Sequence, residues 1–130
     1  MLKKNVTSYS SINLYDSLDK IIKNNFYDFI ILDGYDSSLE QIKHYCTKNA
    51  LIFIEGGRAD QIQKIKNVFP HTYSSEIISM RRPPINGPFQ RKWSGGGTLL
   101  AVNPTASQRL FIFTEKIKTY LKRRLRKFVK

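Results

Sequence analysis

Bulky apolar residues fall in short runs that stop at turn residues through the middle of this chain. Phe29-Ile30-Ile31-Leu32 ends at Asp33-Gly34-Tyr35-Asp36, and Leu51-Ile52-Phe53-Ile54 ends at Glu55-Gly56-Gly57. Runs of this length between turn signals predict strands buried on both faces, as parallel sheets require. Between them, Ser37 stands three before Glu40 and Ser38 three before Gln41, a doubled capping box. Leu39, Ile42, Tyr45 and Cys46 then recur at helical spacing, so the pattern predicts strand, helix, strand.

The same reading extends to both sides. Asn5 to Tyr9 is β-branched and aromatic enough for a short strand, and Asp16 or Ser17 can cap a helix carrying Leu18, Ile21 and Ile22 inward. After Gly57 a helix is predicted from near Asp60, with Ile62, Ile65, Val68 and Phe69 on one face and Pro70 as its stop. Tyr73–Met80 and Thr98–Val102 are predicted strands. The loop joining them holds no helix, which makes the two an antiparallel pair. From Leu110, or from as late as Thr114, a long amphipathic helix carries Leu110, Phe113, Ile117, Tyr120, Leu121, Leu125 and Phe128 at spacings of three and four.

Charge changes this picture mainly at one end. The net charge is +12 over 130 residues, but residues 109–130 contain nine Lys/Arg and one acid, whereas the first 108 contain 13 basic and nine acidic residues. Residues 1–108 therefore form a mildly basic α/β domain, and 109–130 a basic helical tail. Such a tail can lie on an anionic membrane surface, dock its apolar stripe on a partner or its own sheet, or contact nucleic acid. The last is the weakest, because no aromatic platform accompanies it. No apolar run approaches the roughly 20 residues of a membrane span. Met1-Leu2-Lys3-Lys4-Asn5 is not followed by the apolar stretch of a signal peptide, so a cytoplasmic setting is expected, membrane-peripheral where the tail lies on a bilayer. The single cysteine, Cys46, is expected to be a buried structural thiol.

In open α/β sheets, ligands bind beyond the carboxyl ends of the strands, and both central runs end in a carboxylate and a glycine. Asp33 is a candidate base or a turn-former that bonds nearby amides, and Asp36 a second site carboxylate or a helix N-cap. Glu55 is expected to hydrogen-bond a ligand or the Arg58 side chain. Arg81, Arg82, Arg91, Lys92 and Trp93 lie in a long loop rich in proline and glycine. They form either an anion-and-ring clamp or a plain basic loop. His44 and His71 are expected to be surface residues.

Tyr27-Asp28-Phe29-Ile30-Ile31-Leu32-Asp33-Gly34 resembles the "YDxIxxDG" fourth strand of class I S-adenosylmethionine-dependent methyltransferases, and Leu51–Gly57 is similar to their fifth strand and the turn after it. The antiparallel pair fits their terminal hairpin, whose last strand inserts into the sheet. The resemblance covers residues 5 to 103 and is nearest to small-molecule O-methyltransferases. It implies a truncated Rossmann-like sheet, mostly parallel, with a C-terminal antiparallel hairpin. It also implies methyl transfer to a small-molecule or glycan acceptor, with Asp33 and Asp36 as catalytic carboxylates. Substrate contacts would come from Tyr35, Glu55, Gly56, Arg58, Arg81, Arg82, Arg91 and Trp93. Relatives that bind a divalent metal carry Asp-Asn where this chain has Glu55-Gly56, so no metal is expected. The glycine-rich cofactor turn and the acidic end of the second strand are absent from this sequence. S-adenosylmethionine would then need a homo-oligomer or a separate cofactor-binding chain.

Overall fold

The computed structural model describes residues 26–78 and 96–128. Four strands form one open mixed sheet: β1 (Tyr27–Leu32), β2 (Cys46–Glu55), β3 (Tyr73–Ile78) and β4 (Gly96–Ala101), in the order β1-β2-β4-β3. Helix α1 (Ala59–Val68) joins β2 to β3, and α2 (Ala106–Phe128) follows β4. Only β1 and β2 run parallel; β4 pairs antiparallel with both β2 and β3. The sheet is thus mixed rather than mostly parallel, because the hairpin supplies half of the described strands. The predicted elements at 5–9 and 16–25, and residues 79 and 80, lie outside the described residues.

The predicted α-helix between the first two strands is a 3-10 helix of six residues, Leu39–His44. β2 starts at Cys46, five residues before the apolar run, and takes Tyr45 and Cys46 out of the helix. Tyr27 pairs with Cys46 while Phe29 pairs with Leu51, so two steps along β1 answer five along β2. The irregular stretch is pinned by Tyr27 N–H donating to the Tyr45 carbonyl (2.7 Å) and by the Thr47 hydroxyl donating to Asp28 (2.7 Å). The doubled capping box does not form. Asp36 instead accepts from both the Ser38 amide (2.7 Å) and the Ser38 hydroxyl (2.6 Å).

One face of the sheet carries the main core. Ile52, Ile54, Leu100 and Val102 pack there with Leu39, Ile42 and, from α1, Ile65, all fully buried. α1 ends as expected, with Phe69 as C-cap before Pro70. On the opposite face, Leu99 and Ala101 meet Ile112 of α2, flanked by Leu51, Phe53, Tyr73 and Ile77. β1 departs from the prediction here. Phe29 and Ile31, in register with Leu51 and Phe53, are 51% and 61% exposed. Among the described residues β1 is an edge strand covered on one face only.

α2 starts at Ala106, earlier than predicted, because Thr105 and Gln108 make a reciprocal capping box. Gln108 N–H donates to Thr105 Oγ1 (3.2 Å), and Thr105 N–H to Gln108 Oε1 (2.9 Å). Gln108 Nε2 also donates to the Asn49 carbonyl (2.9 Å), fastening the helix start to β2. Further along, α2 runs beside β3. The Thr119 hydroxyl donates to the Glu76 carbonyl (2.7 Å), the Lys122 ammonium donates to the Ile78 carbonyl (3.1 Å), and Arg123 pairs with the Glu76 carboxylate. An open strand edge presents unpaired main-chain groups, and here the polar residues of the helix satisfy two of them. The face turned to the protein is therefore Ile112, Thr119 and Lys122. Leu110, Phe113, Ile117, Tyr120, Leu121 and Leu125 are all 45% exposed or more, so this stripe does not dock on the chain's own sheet.

Candidate functional site

Register builds the site. Leu32 of β1 pairs with Ile54 of β2 in a parallel ladder, so the next residue of each strand, Asp33 and Glu55, emerge side by side at the carboxyl end. Two carboxylates this close repel when both are charged, and sharing a proton relieves that. The Glu55 carboxyl donates a hydrogen bond to Asp33, and this bond raises its pKa above the ordinary 4.5. Partial burial and the charge on Asp33 push the same way, while the Arg58 guanidinium opposes them.

The surrounding turns hold the pair in place. Arg58, at the N-cap of α1, donates through its guanidinium to the Gly34 carbonyl, tying the turn after β1 to the helix after β2. It does not hydrogen-bond Glu55, whose partner is Asp33. Gly56 has φ 75°, a conformation L side chains rarely adopt, and its N–H donates to the Gly96 carbonyl at 2.9 Å. Asp33, Glu55, Gly56 and Arg58 are thus gathered at one sheet end. Asp36 is engaged with Ser38, in keeping with a local turn. Tyr35 is 69% exposed, with the Lys64 ammonium 5.9 Å from its ring centre. Arg81, Arg82, Arg91, Lys92 and Trp93 lie outside the described residues.

Two further observations bear on chemistry. Burial pushes the Cys46 thiol up to about 12, so it stays protonated and unreactive, as a structural cysteine should. His44 and His71 are exposed. Among the described residues no group of three or more His, Cys, Asp or Glu could hold a metal ion. Sequence reasoning missed Gln61, which is fully buried on α1 with neither amide atom hydrogen-bonded. Its position four residues before Ile65 puts it on the inward stripe, and that periodicity was the available signal.

The glycines of β4 do not fit a cradle for S-adenosylmethionine. A cofactor cradle needs glycines whose missing Cβ makes room for the ligand, opening into a helix N-terminus. Gly96 and Gly97 instead lie within β4, where an added Cβ would meet the Ile77 and Ile54 carbonyls of the neighbouring strands. A Cβ on Gly34, Gly56 or Gly57 would meet nothing within 4 Å.

No family model matches the sequence, and neither the curated proteins nor the solved structures yield a match.

Proposed function

We propose that this chain is the acceptor-side portion of a class I methyltransferase-like domain, acting on a small-molecule or glycan hydroxyl. The cofactor would be held by a glycine-rich half that this sequence does not contain. One observation carries the reading: the sheet order β1-β2-β4-β3, with the last strand inserted antiparallel between the second and third. That insertion is what the resemblance implies, and the parallel β1–β2 register beside it leaves Asp33 and Glu55 at the strand ends, where open α/β folds bind ligands. The hydrogen bond from the Glu55 carboxyl holds the Asp33 carboxylate in place at this sheet end. Asp33 can then take the proton that an acceptor hydroxyl loses, with Glu55 stabilising the carboxylate until it does. Arg58 positions this corner through Gly34.

The test is a transfer assay on the full chain isolated from its native cell with whatever accompanies it, using a methyl-labelled donor and reading label in the saccharide and lipid fractions. The reading predicts transfer above background that Asp33→Asn removes. Background-level transfer, or transfer indifferent to Asp33→Asn, contradicts it.

A second reading, a non-catalytic basic adaptor on the same scaffold, is favoured by the outward-facing apolar stripe of α2. In that case Asp33→Asn changes nothing measurable.

A further inference from the structure

The inward and outward faces of α2 are inverted with respect to their polarity. At 100° per residue, Leu110, Phe113, Ile117 and Leu121 lie opposite the buried Ile112 and Thr119, so the apolar stripe points directly away from the sheet. Arg109, Lys116 and Arg123 run along one flank of that stripe, Lys118 lies on the other, and Arg124 stands within it, 4.9 Å over the Tyr120 ring. The helix carries eight Lys/Arg against one Glu. Lys118 is paired with Glu115 and Arg123 with Glu76, Lys116 lies 4.0 Å over the Tyr73 ring, and Lys122 donates to the Ile78 carbonyl; among the described residues Arg109 and Arg124 face no carboxylate.

From this geometry we infer that α2 is an interfacial helix that seats the chain on an anionic phospholipid bilayer. Its apolar stripe enters the headgroup–acyl boundary, and its flanking cations meet the lipid phosphates. Charge decides the occupant. Residues 1–25 carry four Lys against two Asp, and residues 79–95 four basic residues and no acid, so neither segment of this chain complements the helix. A second copy would bring the same cations face to face. Nucleic acid would satisfy the cations but leave a ridge of Leu, Phe and Ile without a partner. An anionic bilayer satisfies both halves of the surface. No helix among the described residues is long and apolar enough to cross a membrane, so the contact is one of lying on the surface. It holds whether the sheet catalyses or only serves as a scaffold.

The test is sedimentation of the full chain with vesicles of phosphatidylcholine alone or mixed with phosphatidylglycerol, which involves no methyl donor. The chain should bind the mixed vesicles and release from them as salt rises. Phe113→Ser with Ile117→Ser should weaken binding by about tenfold or more while leaving the folded spectrum intact, since both residues are exposed. Because Cys46 is buried, a thiol dye will report on an introduced cysteine: at Leu121→Cys it should shift to an apolar signal on mixed vesicles, and at Gln63→Cys on α1 it should not. Equal binding to neutral vesicles, binding unaffected by the double substitution, or a dye signal unchanged at position 121 overturns the inference. So does a stable dimer or an RNA complex that takes up the stripe while vesicles remain unbound.

Discussion

The Thr119 hydroxyl donates to the main-chain carbonyl of Glu76 at 2.7 Å, joining the middle of α2 to the open edge of β3. A buried carbonyl that loses its donor keeps the cost of its desolvation, whereas a lost methyl costs little. Thr119→Val should therefore destabilise the chain by about 1.5 kcal/mol, and Thr119→Ser by distinctly less, in urea unfolding. Equal losses from the two would show that packing, not the hydrogen bond, holds the helix.

Gly97 is the tightest point of the sheet. It lies in register with both Glu55 of β2 and Ile77 of β3, and a Cβ there would strike the Ile54 carbonyl and the Phe53 ring. Gly97→Ala should cost about 3 kcal/mol through forced displacement of β2. Gly57→Ala, with open space at its Cβ, should stay within about 0.5 kcal/mol of the parent. Denaturation midpoints of the two variants make the comparison directly.

Gln61 buries an amide without a hydrogen-bond partner. Replacing such a group by an apolar side chain of similar volume removes a desolvation cost. Gln61→Met should raise stability by about 1 kcal/mol in thermal or urea unfolding. A loss of stability would mean that the amide is satisfied in solution.

Glu55 sets a pH dependence of a definite sign. Its folded pKa lies above the ordinary 4.5, so between those two values the native state binds more protons than the unfolded chain. The stability contributed by the hydrogen bond from the Glu55 carboxyl is fully present below 4.5 and is lost as pH rises through the folded value. Glu55→Gln keeps a donor toward Asp33 without the charge. It should flatten that decline and leave the variant more stable than the parent at neutral pH. Unfolding midpoints across the acid-to-neutral range would show it; a parent curve that rises through the window would contradict the assignment.

The strand ends, α1 and the antiparallel hairpin were legible because their signals are local: apolar runs stopped by Asp33 and Glu55, and Pro70 closing the helix. Residues 46–50 were not. Their buried Cys46 and Ala50 alternate with more exposed polar positions, yet Tyr45 and Cys46 also continue the helical spacing of Leu39 and Ile42. Only pairing with Tyr27 decides between the two. The existence of α2 was legible, but its orientation was not. Periodicity marks the apolar stripe as the inward face, while the edge of β3 draws in Thr119 and Lys122 instead. The candidate carboxylates were legible as strand ends. Their hydrogen bond depends on the Leu32–Ile54 register, a tertiary fact, and so Arg58 looked like the nearer partner for Glu55.

The acceptor-side methyltransferase reading meets its most direct test in methyl transfer by the full chain isolated with whatever accompanies it in its native cell, with label from a methyl-labelled donor followed into the saccharide and lipid fractions. The account predicts transfer above background that Asp33→Asn removes while the folded spectrum is kept. Background-level transfer, or equal transfer by Asp33→Asn, would contradict it.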